Sequence, residues 1–560
     1  MGETMKNLTL RNIAAAVQGQ YIGPEEALDT EITGAVTDSR AVQKGGLFIP
    51  VVGKRADGHR FIPDVFAQGA AAVLSERKLR EEELYGTGDS TVTDAGRKDR
   101  PYILVKSSLQ ALKDIAEYYR SQLDIPVIGI AGSVGKTSTK EMIASVLSQK
   151  YNVLKTEGNF NNEVGMPLTL LKIRPEHEAA VIELGISDFG EMHRLAKVAR
   201  PNICVMTNIG QCHLEFLGDR DGVLRAKSEI FDFLRKDGAV VLNGNDDKLN
   251  TIGTPAGVQP MRYFVEDGSA ERVMEPERYT VTATSVTSNG LEGMEADLIC
   301  VDPAGTAATE GVLARAARRK AEENGTPVPD RKTASDSGSI DIIVRHISEP
   351  LPGIHNIYNA CAAACVGLKL GLTLDEIVDG IGQARTIAGR SHMIHLDRNI
   401  LVVDDCYNAN PVSMEAALDV LSYAKGRTIA VLGDMGELGT GEKELHAQVG
   451  AYAASKEIDI LYCAGELSRE MARAAKEASG IPQDSDGHVE NLADILAGRK
   501  RAKGSCGSVR HFDSKEELIQ DLLQLVRRND SILVKASHFM DYPKIVEALE
   551  EKFAVTEPNA

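Results

Sequence analysis

Short apolar runs, turn residues and helical periodicities alternate along the chain and divide it into three units. In the first, residues 1–123, the runs Gly46–Pro50, Ala71–Leu74 and Tyr102–Val105 predict strands. The polar 81–100 stretch, rich in Gly, Asp and Thr, predicts a loose loop. Leu109, Leu112, Ile115, Ala116, Tyr119 and Leu123 then recur at helical spacing. That helix is expected to stop before Asp124-Ile125-Pro126, because proline lacks the amide that helix continuation needs.

The second unit, 124–386, opens with a Val127–Ala131 strand, a Gly-rich loop and a helix buried through Met142, Ile143, Val146 and Leu147. Two more strands, Ala180–Glu183 and Ile203–Asn208, end in polar residues. Tyr279–Val286 alternates like a strand, whereas 302–338 has no period and predicts a surface insertion within about 266–340. The third unit, 387–560, repeats strand and helix, with strands at Ile400–Val403, Thr428–Leu432, Ile458–Tyr462 and Ile532–Val534. This alternation predicts an α/β fold with mostly parallel sheets, whose ligands sit at the carboxyl ends of the strands.

Composition narrows the function. The 560 residues carry 63 basic and 81 acidic side chains, a formal net charge of −18, which argues against a nucleic-acid partner. A 43% hydrophobic, 26% charged chain is globular rather than disordered. No apolar run reaches the length of about 18 residues that a membrane span needs, and the first residues lack a secretory pattern. Eight scattered cysteines without CxxC pairs read as small buried hydrophobes in a reducing compartment, so a cytoplasmic enzyme is expected.

The strongest chemical signal is Gly132-Ser133-Val134-Gly135-Lys136-Thr137-Ser138, between strand and helix. Such glycines let backbone amides converge on phosphate oxygens at a helix N-terminus; Lys136 can reach terminal phosphates and the Thr137 hydroxyl can ligate Mg²⁺. A strict phosphate-loop pattern would carry glycine at position 130, where this chain has isoleucine. Glu183 ends a buried strand, where a carboxylate calls for a cation or a salt bridge. His213 also follows a strand end, and with Glu183 and a hydroxyl would make reasonable divalent-metal ligands. Asn161 and Asn162 lie in a shaped, Asn-rich loop that simple turn chemistry would also explain. Asn356 and Asn359 share a helical face and suit either a base and ribose or helix capping. Asp404 and Asp405 end a strand and suggest nucleotide or metal-water contacts, with Arg390 compensating transition-state charge. Adjacent strand residues point to opposite faces, so these two aspartates make a poor glycosidase pair.

Taken together, this order of motifs resembles the Mur ligases, ATP-dependent amide-forming enzymes of peptidoglycan precursor synthesis. The resemblance rests on Gly132–Thr137, Glu183, His213, Lys227, His355–Ala360, Arg390 and Asp405, and covers nearly the whole chain. It implies a small N-terminal α/β domain (1–123) that holds a UDP-sugar, a central ATPase (124–386) and a C-terminal Rossmann-like domain (387–560) that receives the amino substrate. By the same resemblance Ser39 and Arg40 lie in the uridine-sugar loop, and Asn161, Asn162, Asn408 and Asn410 line substrate sites. ATP would be held by residues 132–138, Asn356, Asn359, Arg390 and Asp405. Thr137, Glu183, His213 and a carbamylated Lys227 would hold Mg²⁺, and Lys136, Lys227, His213 and Arg390 would serve catalysis. The Asn-rich loop, Asp405–Pro411 (DCYNANP) and Val431–Gly439 followed by His446 resemble the branch joining D-alanyl-D-alanine to UDP-N-acetylmuramoyl-tripeptide. A monomer is expected. Ala536 and His538 depart from the glycine and arginine common in the family. The rival readings are another amide ligase of the superfamily and a nucleotide-dependent binding protein that joins nothing.

Overall fold

Three sheets organise the protein, each built where the sequence alternates short apolar runs with helices. The computed structural model describes residues 4–53, 57–85, 100–267, 279–302, 341–483 and 504–555. In the N-terminal sheet the strands run Gln20–Ile22, Tyr102–Leu104, Ala72–Ser75, Leu47–Phe48 and Ala35–Val36 in spatial order. All pair in parallel except the antiparallel Gln20–Ile22 edge.

The central sheet has nine strands. From Val153–Lys155 it runs through Ala179–Glu183, Val127–Ala131, Ile203–Met206, Ala239–Asn243 and Met261–Val265 to Val281–Ser288, all in parallel. Two long antiparallel strands, Met294–Asp302 and Asp341–Glu349, extend it. The third sheet, six-stranded, is parallel apart from the His392–Leu396 edge. In the central sheet, Val127–Ala131 and Ala179–Glu183 are buried on both faces, which explains why they read as unbroken apolar runs.

The predicted helix forms at Ser108–Ser121, capped by the Ser107 hydroxyl accepting from the Gln110 amide. Its Leu112, Ile115, Ala116 and Tyr119 are buried, but Leu109 is exposed. Ser108, Ala111 and Arg120 are buried as well, and Arg120 donates to the carbonyls of Leu123, Ala199 and Arg200 and to Asn202 Oδ1. The Tyr119 hydroxyl donates to Ile173 O, so this helix packs on the central unit as well as on the first. Within the stretch expected to be a loose loop, Glu81–Tyr85 is helical, because three consecutive glutamates favour a helix start; 86–99 lies outside the described residues. The predicted insertion at 302–338 likewise lies almost wholly outside them. All eight cysteines are buried and unpaired by disulfides. No described helix is long and apolar enough to cross a membrane.

Candidate active site

The glycines of the phosphate loop are dictated by contact. A Cβ on Gly132 would lie 1.9 Å from Thr207 Oγ1. Gly135 has φ +82, a left-handed conformation that glycine adopts without strain. Gly135 caps helix Lys136–Leu147 with no side-chain hydrogen bond, so no side chain competes for the first-turn amides. Asn208 Oδ1 accepts from the Val134 amide, and the Thr207 hydroxyl donates to Val134 O. These bonds fix the loop to the end of the neighbouring strand.

Around this loop several of the sequence-predicted residues converge. Lys136 Nζ donates to Gly132 O at 2.8 Å. The Thr137 hydroxyl donates to Glu183 Oε2 at 3.0 Å, and Asn161 Nδ2 donates to Glu183 Oε1 at 2.8 Å. Asn359 Oδ1 accepts from the Thr139 hydroxyl at 2.7 Å, and its amide donates to Asn356 Oδ1. Asn356 in turn donates to Pro352 O, holding the start of helix Ile354–Lys369 rather than capping it, since Gly353 is the cap. Ser138, His355, Asn356 and Arg390 line one shared pocket.

Electrostatically the site has an excess of cations. Burial pushes the Lys136 ammonium down, Glu183 opposes that shift, and Arg390 adds to it from across the pocket. Lys227 is fully buried, with no ion pair among the described residues, and burial with the nearby Lys136 charge pushes it down to about 8. Lys136 thus feels two other cations, Lys227 and Arg390, and one opposing carboxylate, Glu183, an arrangement that favours a polyanionic ligand.

Other predicted residues lie elsewhere or serve the backbone. His213 pairs closely with Glu437 of the third unit rather than with Glu183. That contact holds the Glu437 carboxyl below its usual range, against the opposing effect of its burial. Asn162 accepts from the Val164 and Gly165 amides, Asn408 from the Ala409 amide, and Asn410 caps helix Pro411–Ser422. Asp405 bonds to Lys535 Nζ at 2.6 Å. Ser39 and Arg40 follow the Ala35–Val36 strand of the N-terminal sheet, where Arg40 forms a bidentate pair with Asp38.

Sequence reasoning passed over Tyr407, Lys535 and Glu437 as site residues. Tyr407 lies under the Arg390 guanidinium, whose carbon is 3.9 Å from the ring centre. It takes the packing of separate strand ends to bring Tyr407 against Arg390, Lys535 against Asp405 and Glu437 against His213. His446 plays a structural part. Its Nε2 accepts from the Met435 amide and its Nδ1–H donates to Glu442 O, so the buried ring is neutral. Burial lowers its pKa, so the unfolded chain takes up the proton first as pH falls below about 6.5. Stability is therefore expected to be full above that pH and to fall below it. Urea unfolding at about pH 7 and about pH 5 checks this, and His446→Gln should flatten the dependence.

Family models match all three units: "Mur ligase family, catalytic domain" over residues 31–120, "Mur ligase middle domain" over 130–299 and "Mur ligase, glutamate ligase domain" over 389–538. The chain belongs to the Mur ligase family. Among its relatives is the UDP-N-acetylmuramoyl-tripeptide–D-alanyl-D-alanine ligase of Escherichia coli, 32% identical over 98% of this chain and 99% of that protein. The Bacillus subtilis enzyme of the same name is 31% identical over 97% and 98%. A crystal structure of MurF from Acinetobacter baumannii covers 98% of this chain and 100% of its own, with TM-score 0.72 and 27% identity. MurF ligase from Thermotoga maritima in complex with ADP gives TM-score 0.66 at 25% identity, covering 93% and 97%.

Proposed function

We propose that this protein is the ATP-dependent ligase that joins D-alanyl-D-alanine to UDP-N-acetylmuramoyl-tripeptide in peptidoglycan precursor synthesis. The observation that carries it is the pair of cations Lys136 and Arg390 at a glycine-formed helix N-terminus, in a chain that matches ligases of that name along its whole length. The tripeptide carboxylate attacks the γ-phosphorus of ATP, releasing ADP and forming an acyl phosphate. The dipeptide amine then adds to that carbonyl and loses a proton, and the tetrahedral intermediate expels phosphate. Two anions meet in the first step, so charge compensation is the protein's main catalytic contribution. Lys136 and the loop amides serve the phosphates, Arg390 approaches from the C-terminal unit, and Asn356 and Asn359 shape the nucleotide pocket. The Ser39-Arg40 loop is assigned to the UDP-sugar and the strand ends of the third sheet to the dipeptide.

The residues present fit magnesium through hard oxygen donors, the Thr137 hydroxyl and Glu183 carboxylate 3.0 Å apart. When bound, Mg²⁺ supplies charge neutralisation between the phosphates. As an ammonium, Lys227 would repel that ion; as a carbamate it becomes an anion beside Lys136 and fits. No three His, Cys, Asp or Glu side chains form a ready cage among the described residues, so the bound ion would draw further oxygen ligands from water and phosphate. Incubation with ATP, magnesium and both substrates should yield UDP-N-acetylmuramoyl-pentapeptide by mass spectrometry. Product from a different amino donor, and none from D-alanyl-D-alanine, would refute the assignment.

A further inference from the structure

Arg390 is held without being neutralised. Two neighbouring aspartates, Asp404 at the end of strand Ile400–Asp404 and Asp405 just beyond it, both reach the backbone around Arg390. Asp404 Oδ2 accepts from the Gly389 amide at 2.7 Å, and Asp405 Oδ1 accepts from the Ser391 amide at 3.1 Å. Those two amides flank Arg390. Gly389 and Ser391 both have left-handed backbones, with φ +76 and +48, a conformation that costs energy at the serine and needs such anchors to persist. The Tyr407 amide also donates to Gly389 O, and the Tyr407 ring carries the guanidinium on its face. His538, where the family commonly has arginine, meets the same ring edge-on at 6.2 Å. Among the described residues neither aspartate forms an ion pair with the guanidinium, and the buried Arg390 Nε has no hydrogen-bond partner.

We infer that Asp404 is a positioning residue: by gripping the Gly389 amide it aims Arg390 at the phosphate loop while leaving the arginine's charge available to the transferring phosphoryl group. The inference rests on the reading of Arg390 as an ATP-side cation. A carboxylate bound to the guanidinium itself would aim it equally well but cancel the charge that the reaction needs. Acting through the backbone avoids that cost, and Asp405, locked by Lys535 and the Ser391 amide, completes the grip from the other side.

The test is a double-mutant cycle on the full-length protein, measuring kcat and the ATP KM. Asp404→Ala is expected to lower kcat on the order of a hundredfold, as a misaimed group does. Asp404→Asn keeps one oxygen to accept from Gly389 while giving up the longer bond from the Cys406 amide, and should be at least about tenfold faster than Asp404→Ala. In an Arg390→Ala background, Asp404→Ala should slow the enzyme by no more than about twofold further, because its target is gone. Full additivity would overturn the inference and make Asp404 merely structural, as would an Asn variant as slow as the Ala variant. Wild-type turnover in Arg390→Ala alone would overturn the reading of Arg390, and the inference with it. Should Asp404→Ala not fold, Asp404→Leu, which keeps the side-chain volume without an acceptor for the Gly389 amide, takes its place. The same non-additivity with Arg390→Ala is then expected, and additivity would again overturn the inference.

Discussion

Replacing Lys136 with alanine is expected to lower turnover by at least about a hundredfold while the UDP-sugar still binds, corresponding to roughly 3 kcal/mol of transition-state stabilisation. The Lys136 ammonium sits inside the loop whose carbonyls, Gly132 O and Ser133 O, it contacts at 2.8 and 3.4 Å, close to the Thr137–Glu183 pair. Among the described residues its side-chain hydrogen bonds stay within this loop, and none goes to the N-terminal sheet, where the Ser39-Arg40 loop lies. A chemical step lost with sugar binding kept is therefore the signature of a phosphate contact. Steady-state kinetics with calorimetric titration of the UDP-tripeptide checks it, and wild-type turnover would contradict the assignment.

The second large effect is expected at Lys227. Its ammonium is fully buried and pushed down to about 8 from an ordinary 10.5, which at neutral pH costs the folded state about 3 kcal/mol. The penalty is absent above the unfolded lysine's pKa, grows as pH falls towards about 8 and is constant below that. A buried lysine with a strongly shifted pKa beside the phosphate-loop lysine is a candidate for chemistry. Lys227→Met, which fits the same channel without charge, should lose activity by at least about a hundredfold yet be no less stable than wild type. Kinetics alongside thermal unfolding separates the two effects. An active variant, or one whose lost activity follows lost stability, would count against a catalytic Lys227.

Much of this architecture is legible in the sequence because the relevant strands are buried on both faces and the chemistry sits at their ends. Val127–Ala131, Ala179–Glu183 and the glycines after the first could be read directly. Apart from Tyr279–Val286, whose alternation showed, strands with exposed or charged positions were less legible. Met294–Asp302 and Asp341–Glu349 lie at the sheet's margin and carry acids, and His392–Leu396 is a part-exposed antiparallel edge. Their pairing is set by tertiary contact rather than by local pattern. At the site, spacing reveals residue types but not their partners. Asn162 and Asn410 look identical to Asn161 in sequence, yet both accept bonds from amides within three residues, whereas Asn161 reaches Glu183. The pairings of His213 with Glu437 and of Asp405 with Lys535 join strand ends far apart in the chain. No periodicity encodes such distances.

The central claim is that ATP is spent on activating a carboxyl group, and isotope transfer tests it most directly. When the UDP-tripeptide carries isotopically heavy oxygen in its terminal carboxylate, the inorganic phosphate released with D-alanyl-D-alanine present should acquire one heavy oxygen from the acyl phosphate. Phosphate released during pentapeptide formation without that label would contradict it.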